Sequence, residues 1–264
     1  MDTDLGPGRA VEVGPDETLD RLTDALRIIQ KRRGHRAATD DTLLAWEAVQ
    51  ALPEASRVLD LGSGKGTVAL LLLQRMPGCQ VVGVEAEPVS HDLALRNRLL
   101  NGLSERWTPR LGDLRDPSLL AGEASFDLVT GAPPFMPIGS GTMPQDPLRA
   151  AGRFELRGGV SDYVTTAAQH LSASGRVVIL MDGQGRGRAE VALRGVGLGL
   201  RRLVAVHPFP GERPTYCILV AAHGEADIVE VTLNLRSGPG TEYSPQFHAI
   251  RRELNLLRPF LDCN

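Results

Sequence analysis

The sequence predicts an α/β fold: a doubly wound, mainly parallel sheet of seven strands, the last antiparallel, with short N-terminal and C-terminal extensions. Three observations predict it. Strand-like and helix-like segments alternate between residues 57 and 222. The strands are continuously apolar rather than alternating, as in sheets covered on both faces. A glycine-rich turn, Gly62 to Gly66, joins the first of these strands to the first helix.

The elements follow in order. Residues 1–16 are polar and rich in glycine and proline, so a flexible start is expected. Between Glu17 and Leu26, the residues Leu19, Leu22 and Leu26 stand at helical spacing. Leu26 to Gln30 continues that helix or turns into a strand. A second helix starts with Thr39 or Asp40 at its N-cap, carries Leu43, Leu44, Trp46, Val49 and Leu52, and stops at Pro53. Residues 17–56 are thus expected to cap the ligand cleft, and residues 57–222 to form the core. In the core, Arg57–Leu61 reads as a strand, Thr67–Met76 as an apolar helix and Gln80–Val84 as a second strand. Val89–Leu100 (helix), Pro109–Gly112 (strand) and Phe126–Thr130 (strand) come next. Ser161–Leu171 reads as a helix, Arg176–Met181 as a strand and Val191–Val196 as a weaker helix. Arg201–His207 and Thr215–Ala222 then form an antiparallel pair. Gly139–Gly141 and Gly183–Gly187 read as loops. The extension, residues 223–264, holds a strand-like run at Ile228–Leu235 and a helix near Gln246–Leu257.

Composition narrows the classes. At 264 residues, 42% hydrophobic and 23% charged, the chain is an ordinary globular protein with a sizeable core. Cys79, Cys217 and Cys263 have neither disulfide nor zinc spacing, and the six histidines show no paired spacing. No metal is therefore expected. A signal peptide is not expected, the apolar runs are too short to span a bilayer, and a cytoplasmic location follows. The net charge of −3 argues against a broad, non-specific nucleic-acid binder. Local basic clusters remain at Lys31–Arg36, at Arg149, Arg153 and Arg157, and at Arg251-Arg252. Each is either a solvated face or a contact for an anionic partner.

The main chemical signal is the strand ending Asp60-Leu61, followed by Gly62-Ser63-Gly64-Lys65-Gly66 and a helix. Glycines let backbone approach a ligand, and the helix start presents free N–H groups. Glu85 ends the next strand, where a carboxylate accepts hydrogen bonds from both hydroxyls of a ribose. The dinucleotide fingerprint is not met, because Thr67 replaces its third glycine, and the phosphate-loop pattern also fails. Asp60 would repel a phosphate but suits an ammonium. The pattern predicts an adenosine that carries an amino-acid group; the alternative is a tight turn and no ligand.

The segments VLDLGSGKG, VVGVEAEP and GDLRD, in this order, resemble the class I S-adenosylmethionine-dependent methyltransferases, which have a Rossmann-like fold. The resemblance covers roughly residues 25–222. It implies S-adenosyl-L-methionine as cofactor, with Asp60, Gly62, Ser63 and Gly64 holding its methionine part. It also implies Glu85 and Ala86 at the ribose and Asp113 and Leu114 at the adenine. The alternative for Asp113 is a turn carboxylate capping the next segment.

The strand Phe126–Thr130 runs into Gly131-Ala132-Pro133-Pro134-Phe135. Two prolines stiffen the chain, and an aromatic beside them offers a flat face on which a base gains about 1–3 kcal/mol by stacking. The alternative is a stiff loop with Phe135 packed inward. Ala132, Pro133, Pro134 and Phe135 resemble the (Asn/Asp/Ser)-Pro-Pro-aromatic motif of amino methyltransferases, which makes them the candidate catalytic residues. Gln30, Gly34-His35-Arg36 and Thr39–Ala45 resemble the N-terminal signature of the bacterial family that methylates the adenine amine of valine tRNA. That likeness brings in Arg36 and Asp40 as cofactor contacts. Arg149–Glu155 is similar to the same family's Ala-Arg-His-Glu segment, with Phe154 for histidine, and implies Arg153 and Glu155 at the substrate. For that pair a plain surface ion pair is the alternative.

One departure bears on the substrate. Ala132 stands where the family's asparagine would accept a hydrogen bond from the target amine. Loss of such a contact costs about 1–3 kcal/mol, which slows methyl transfer without abolishing it. Three functions follow from these readings. The first is methyl transfer to an amine of a planar substrate such as adenine in structured RNA, with tRNA as partner. The second is transfer to a small molecule or a protein side chain. The third is cofactor binding without catalysis, against which the intact glycine loop argues.

Overall fold

The computed structural model describes residues 11–256, so residues 1–10 of the expected flexible start and the last residues, Leu257 and Cys263 among them, lie outside the described part. The chain begins with a hairpin, β1 (Glu17–Arg21) and β2 (Arg27–Lys31), paired antiparallel from Glu17 opposite Lys31 to Arg21 opposite Arg27. This corrects the helix expected over Glu17–Leu26. Leu19, which gave the helical spacing, is exposed, while Leu22 and Leu26 sit in the turn. The Thr23 hydroxyl accepts from Leu26 N–H at 3.0 Å and closes that turn. Ile28 and Ile29 are both fully buried, and β-branched neighbours of this kind suit an extended chain.

Helix α1 (Thr39–Ala51) starts one residue earlier than expected, with Ala38 at the N-cap and the Asp41 carboxylate accepting from Ala38 N–H at 3.0 Å. Then come β3 (Arg57–Leu61), α2 (Thr67–Arg75), β4 (Gln80–Glu85), α3 (Pro88–Leu100), β5 (Trp107–Leu111) and β6 (Phe126–Gly131). Helix α4 (Pro147–Arg153) was not foreseen. Asp146 caps it by accepting from Arg149 N–H at 2.9 Å, and Pro147 opens it with the φ a first turn needs. The chain closes with α5 (Val160–His170), β7 (Leu171–Asp182), α6 (Arg186–Gly195), β8 (Leu198–His207), β9 (Tyr216–His223), β10 (Val229–Asn234) and α7 (Pro245–Glu253). Helix α6 begins before the expected Val191, so Gly187 belongs to it rather than to a loop.

The main sheet has eight strands in the order β10-β8-β9-β7-β6-β3-β4-β5. All neighbours are parallel except β9, which runs antiparallel to both β7 and β8. The eighth strand corrects the expected seven: β10, from the C-terminal extension, pairs in parallel with β8, Val229 opposite Arg202. Side chains of β3 alternate between two apolar layers. Val58 joins α1 and α2 on one face, and Leu59 and Leu61 join α5 on the other. Leu70, Leu71 and Leu72 of α2 are fully buried, each contributing about 1.5–3 kcal/mol.

Strand order reverses between β3 and β6: the chain runs outward through β4 and β5, then returns to start again at β6. At such a point two adjacent strands send their connections to opposite sides, and a crevice opens beyond their carboxyl ends. Asp60-Leu61 and Thr130-Gly131 end the two strands that flank it, with Asp60 opposite Thr130. No helix among the described residues is long and apolar enough to cross a membrane. Among them, no three or more His, Cys, Asp or Glu side chains cluster as metal ligands would.

Candidate cofactor and transfer site

The crevice is a cavity of about 810 Å³. Its floor is the loop after β3. Gly62 (φ 65°) and Gly66 (φ 90°) both lie in left-handed backbone. Space also demands glycine at both. A Cβ on Gly62 would stand 2.2 Å from the Tyr163 hydroxyl, and one on Gly66 would stand 1.9 Å from the Trp107 ring. The loop is stitched to β4 by Ser63 N–H donating to the Val84 carbonyl at 3.0 Å.

Glu85 ends β4 and is aimed by two backbone donors. Gly64 N–H reaches one carboxylate oxygen at 2.7 Å, and Glu87 N–H reaches the other at 2.6 Å. Each oxygen keeps a lone pair for a further donor. Burial raises the Glu85 pKa, partly offset by those two bonds. Asp60 is 2% exposed. One of its oxygens accepts from the Thr130 hydroxyl at 2.7 Å, and Oδ2 has no partner among the described residues. Burial pushes its carboxyl up to about 7, with Asp41 and Glu85 adding like-charge repulsion. Asp40 Oδ1 and Ser63 Oγ are likewise buried without a partner. Orphaned acceptors of this kind are costly unless a ligand supplies the missing hydrogen bonds.

Asn97 of α3 holds the floor and the hairpin together. Its side chain accepts from Ile29 N–H at 2.6 Å and donates to the carbonyls of Ile29 and Lys65, each at 3.0 Å. Above the floor, the chain after β2 meets α4. A Cβ on Gly34 would touch Leu148 at 3.7 Å, and one on Gly152 would touch His35 at 3.7 Å.

Thirteen of the residues singled out in the sequence line this one cavity: Asp40, Asp60, Gly62, Ser63, Gly64, Glu85, Ala86, Leu114, Ala132, Pro133, Pro134, Phe135 and Arg153. Three are engaged elsewhere. The Arg36 guanidinium donates to Asp20 at 2.8 Å and to the Lys31 carbonyl at 2.7 Å, which ties the hairpin to α1. Asp113 is held by Arg115 at 2.6 and 2.9 Å, and this pairing lowers its pKa. Glu155 pairs with Arg188, which also reaches the Phe135 carbonyl at 3.4 Å. Glu155 therefore braces the Pro-Pro-Phe segment from behind, and Met136 reinforces this by bonding Arg153 and Glu155 through its backbone. Phe135 is half-buried, its ring 6.2 Å from that of Tyr216, yet it still lines the cavity.

Tyr163, which reaches under the glycine loop from α5, also lines the cavity, as do Lys65, Asp41 and Arg157. Arg157 bridges to Glu87 at 3.2 Å across the cavity mouth. Nothing in the periodicity of α5 marks Tyr163. The spacing of Arg149, Arg153 and Arg157 did mark a basic cluster, and all three line the opening.

Comparison with known proteins now adds to the geometry. A family model described as a methyltransferase domain matches residues 58–140, from β3 through the Pro-Pro-Phe turn. Residues 58–140 carry a class I S-adenosylmethionine-dependent methyltransferase domain. It is 34% identical to the tRNA1(Val) (adenine(37)-N6)-methyltransferase of Porphyromonas gingivalis over 151 residues, 55% of this chain and 58% of that protein. It therefore spans little more than half the length of that curated relative. The protein of the same name from Shewanella amazonensis is 28% identical over 84% of this chain and 93% of its own. A release factor glutamine methyltransferase from Geobacter sulfurreducens is 34% identical over 58% of this chain and 54% of its own. Among solved structures, a predicted O-methyltransferase from Agrobacterium tumefaciens superposes with a TM-score of 0.62 at 20% identity. It covers 82% of this chain and 97% of its own, which shows the shared α/β fold.

S-adenosyl-L-methionine is the methyl donor of this domain family, and the residues present fit it. The cavity has the size of a small-ligand site. Its unpartnered acid oxygens suit an ammonium, and the oriented Glu85 carboxylate suits a pair of hydroxyls.

Proposed function

We propose that this chain transfers a methyl group from S-adenosyl-L-methionine to the exocyclic amine of adenine in a structured RNA, a tRNA. One observation carries the reading: a single cavity joins the glycine loop to Pro133-Pro134-Phe135 and opens between His35, Arg149, Arg153 and Arg157. A basic opening suits a phosphate backbone, and a rigid aromatic turn suits a base drawn out of its stack. The names of the relatives from Porphyromonas gingivalis and Shewanella amazonensis point the same way.

The cofactor supplies a methyl group activated by a positively charged sulfur. Asp60, Asp40, Ser63 and the backbone of Gly62 and Gly64 hold its amino-acid end. Glu85 and Ala86 hold the ribose, and Leu114 packs on the adenine. Arg36 and Asp113 act indirectly, by fixing the hairpin and the loop after β5. The Pro133 carbonyl accepts one N–H of the target amine and turns its lone pair toward the methyl group. Phe135 supports the base, while Arg153 and, through Arg188, Glu155 shape the entrance. The amine nitrogen would gain the methyl group as the carbon–sulfur bond breaks, the bonding pair leaving on sulfur as a neutral thioether, and the methylated amine would release a proton to solvent. Most of the rate then comes from in-line placement. In this reading residues 17–56 act as the cap, residues 57–222 as the catalytic core, and residues 223–264 as an extension that adds β10 to the sheet edge.

A second reading rests on Ala132, which offers no side-chain acceptor where the resembling motif has asparagine. It assigns the transfer to a small molecule or to a protein amide, the latter matching the name of the Geobacter sulfurreducens relative. Methyl transfer from labelled cofactor to RNA, protein and small-molecule fractions of cells lacking this protein separates the two. Label in N6-methyladenine of tRNA supports the first reading, whereas label confined to another fraction refutes it. Ala132→Asn then raises the rate on adenine, by up to about 10-fold if one amine hydrogen bond is regained.

A further inference from the structure

The glycine loop contains a cation that neither reading uses. Lys65 lies between Gly64 and Gly66, is 6% exposed, and lines the cavity. Its carbonyl is tied to Asn97 at 3.0 Å, which fixes the backbone from which the side chain leaves. No hydrogen bond or salt bridge joins its ammonium to a described residue. Asp40, Asp41 and Glu85 attract it from a distance, and burial lowers its pKa. The same cavity offers Asp60 Oδ2 and Asp40 Oδ1, also unpartnered. One cavity thus holds an ammonium with no bonded partner and two acids with unpaired oxygens, groups that are costly to bury unless a ligand supplies the opposite charge.

A zwitterion satisfies both. Accepting the cofactor reading above, on which this step rests, the ligand's amino-acid end carries an ammonium and a carboxylate on one carbon. Its ammonium suits the acids. Its carboxylate suits a cation, and the other cations lining the cavity are committed or lie at the rim. Arg157 is paired with Glu87, Lys31 with Asp16 and Glu17, and Arg149 and Arg153 are on α4 at the opening. We propose that Lys65 binds the carboxylate of the cofactor's methionine moiety and makes the site selective for the carboxylated nucleoside. A glycine loop need not carry a cation to bind a ribose or an adenine, so the role is confined to this one group.

The test is calorimetric and needs no substrate. S-adenosylhomocysteine and its decarboxylated counterpart, S-adenosyl-3-thiopropylamine, are titrated into the wild-type protein, Lys65→Met and Lys65→Arg. The wild type is expected to favour the carboxylated ligand by about 10- to 100-fold, the range of one charge-assisted hydrogen bond. Lys65→Met is expected to lose that preference by weakening the carboxylated ligand alone, and Lys65→Arg to keep most of it. Equal weakening of both ligands in Lys65→Met, or an unchanged preference, overturns the proposal. Should Lys65→Met fail to fold, the wild-type pair still decides: affinities within about 3-fold of each other overturn it. A wild-type protein that binds neither nucleoside removes the cofactor reading itself, an outcome distinct from binding without preference.

Discussion

Asn97→Leu probes the joint between the cap and the cofactor floor. Leucine keeps the branched heavy-atom skeleton of asparagine and is somewhat larger, so the substitution removes hydrogen bonds without opening a cavity. The Asn97 side chain is fully buried and serves three backbone groups: the Ile29 N–H, the Ile29 carbonyl and the Lys65 carbonyl. Leaving a buried polar group unpaired costs about 1–3 kcal/mol. Three such groups cost about 3–9 kcal/mol, and about 1–2 kcal/mol of added apolar burial leaves a net loss centred on about 4 kcal/mol. A domain stable by about 5–15 kcal/mol survives this but unfolds at lower denaturant. Urea denaturation measures the loss. Hydrogen exchange of the amides at residues 27–31 locates it, since β2 loses its anchor to α3 at Ile29 while keeping that of Arg27 to Asn101 and its pairing with β1. A loss below about 1 kcal/mol, or a larger loss with unchanged exchange in β2, would refute the claim that Asn97 couples the hairpin to the glycine loop.

Other expectations concern charge and space. Arg96 holds the Glu17 carboxyl down at about 2 through bonds of 2.7 and 2.8 Å, with Lys31 adding a third contact. A lowered folded-state pKa contributes stability above the ordinary value of 4.5 and loses it as pH falls toward 2. Glu17→Gln should therefore destabilise the hairpin at pH 7 and match the wild type near pH 2, as seen by thermal melting. Asp60 has the opposite sign: its carboxyl, raised by burial to about 7, costs stability increasingly as pH climbs from 3.8 through 7. Asp60→Asn should melt higher than the wild type at pH 8 and equal to it near pH 4, while binding S-adenosylhomocysteine more weakly; an unchanged gap across that range would contradict the assignment. Gly66→Ala sets a Cβ 1.9 Å from Trp107 at a φ of 90°. It should cost more than about 2 kcal/mol and shift tryptophan fluorescence, and a variant as stable as the wild type would mean that Trp107 moves aside freely.

Much of this architecture can be read from residue order, and the reasons differ by element. Strands β3, β4 and β6 are covered on both faces, so their centres, Val58-Leu59, Val81–Val84 and Leu128-Val129, read as unbroken runs without polar side chains. Asp60, the glycines and Glu85 stand out because their types are costly at strand ends unless a ligand uses them. Strand β1 is hidden because five-residue strands carry too few positions to reveal a period and a chance leucine spacing imitates a helix, whereas β2 stands in the sequence as the strand alternative for Leu26–Gln30. Helix α4 was hidden by its seven residues, although Asp146 before Pro147 is a helix-start signal in itself. The strand-like run that forms β10 was visible, but its place at the sheet edge depends on pairing with β8, which no local pattern encodes. Tyr163, Lys65 and the engagement of Asp113 by Arg115 depend on where side chains point after the elements pack. Arg115, two residues from Asp113, was within reach of the eye, but its preference for that partner was not.

The central claim is that the glycine loop and Glu85 together grip an adenosine carrying an amino acid. Titration calorimetry of the wild type and Glu85→Ala with S-adenosylhomocysteine tests it most directly. The account predicts one site per chain with micromolar affinity, weakened by about 10-fold or more when both ribose acceptors are removed. No heat of binding in the wild type, or an affinity indifferent to residue 85, would contradict it.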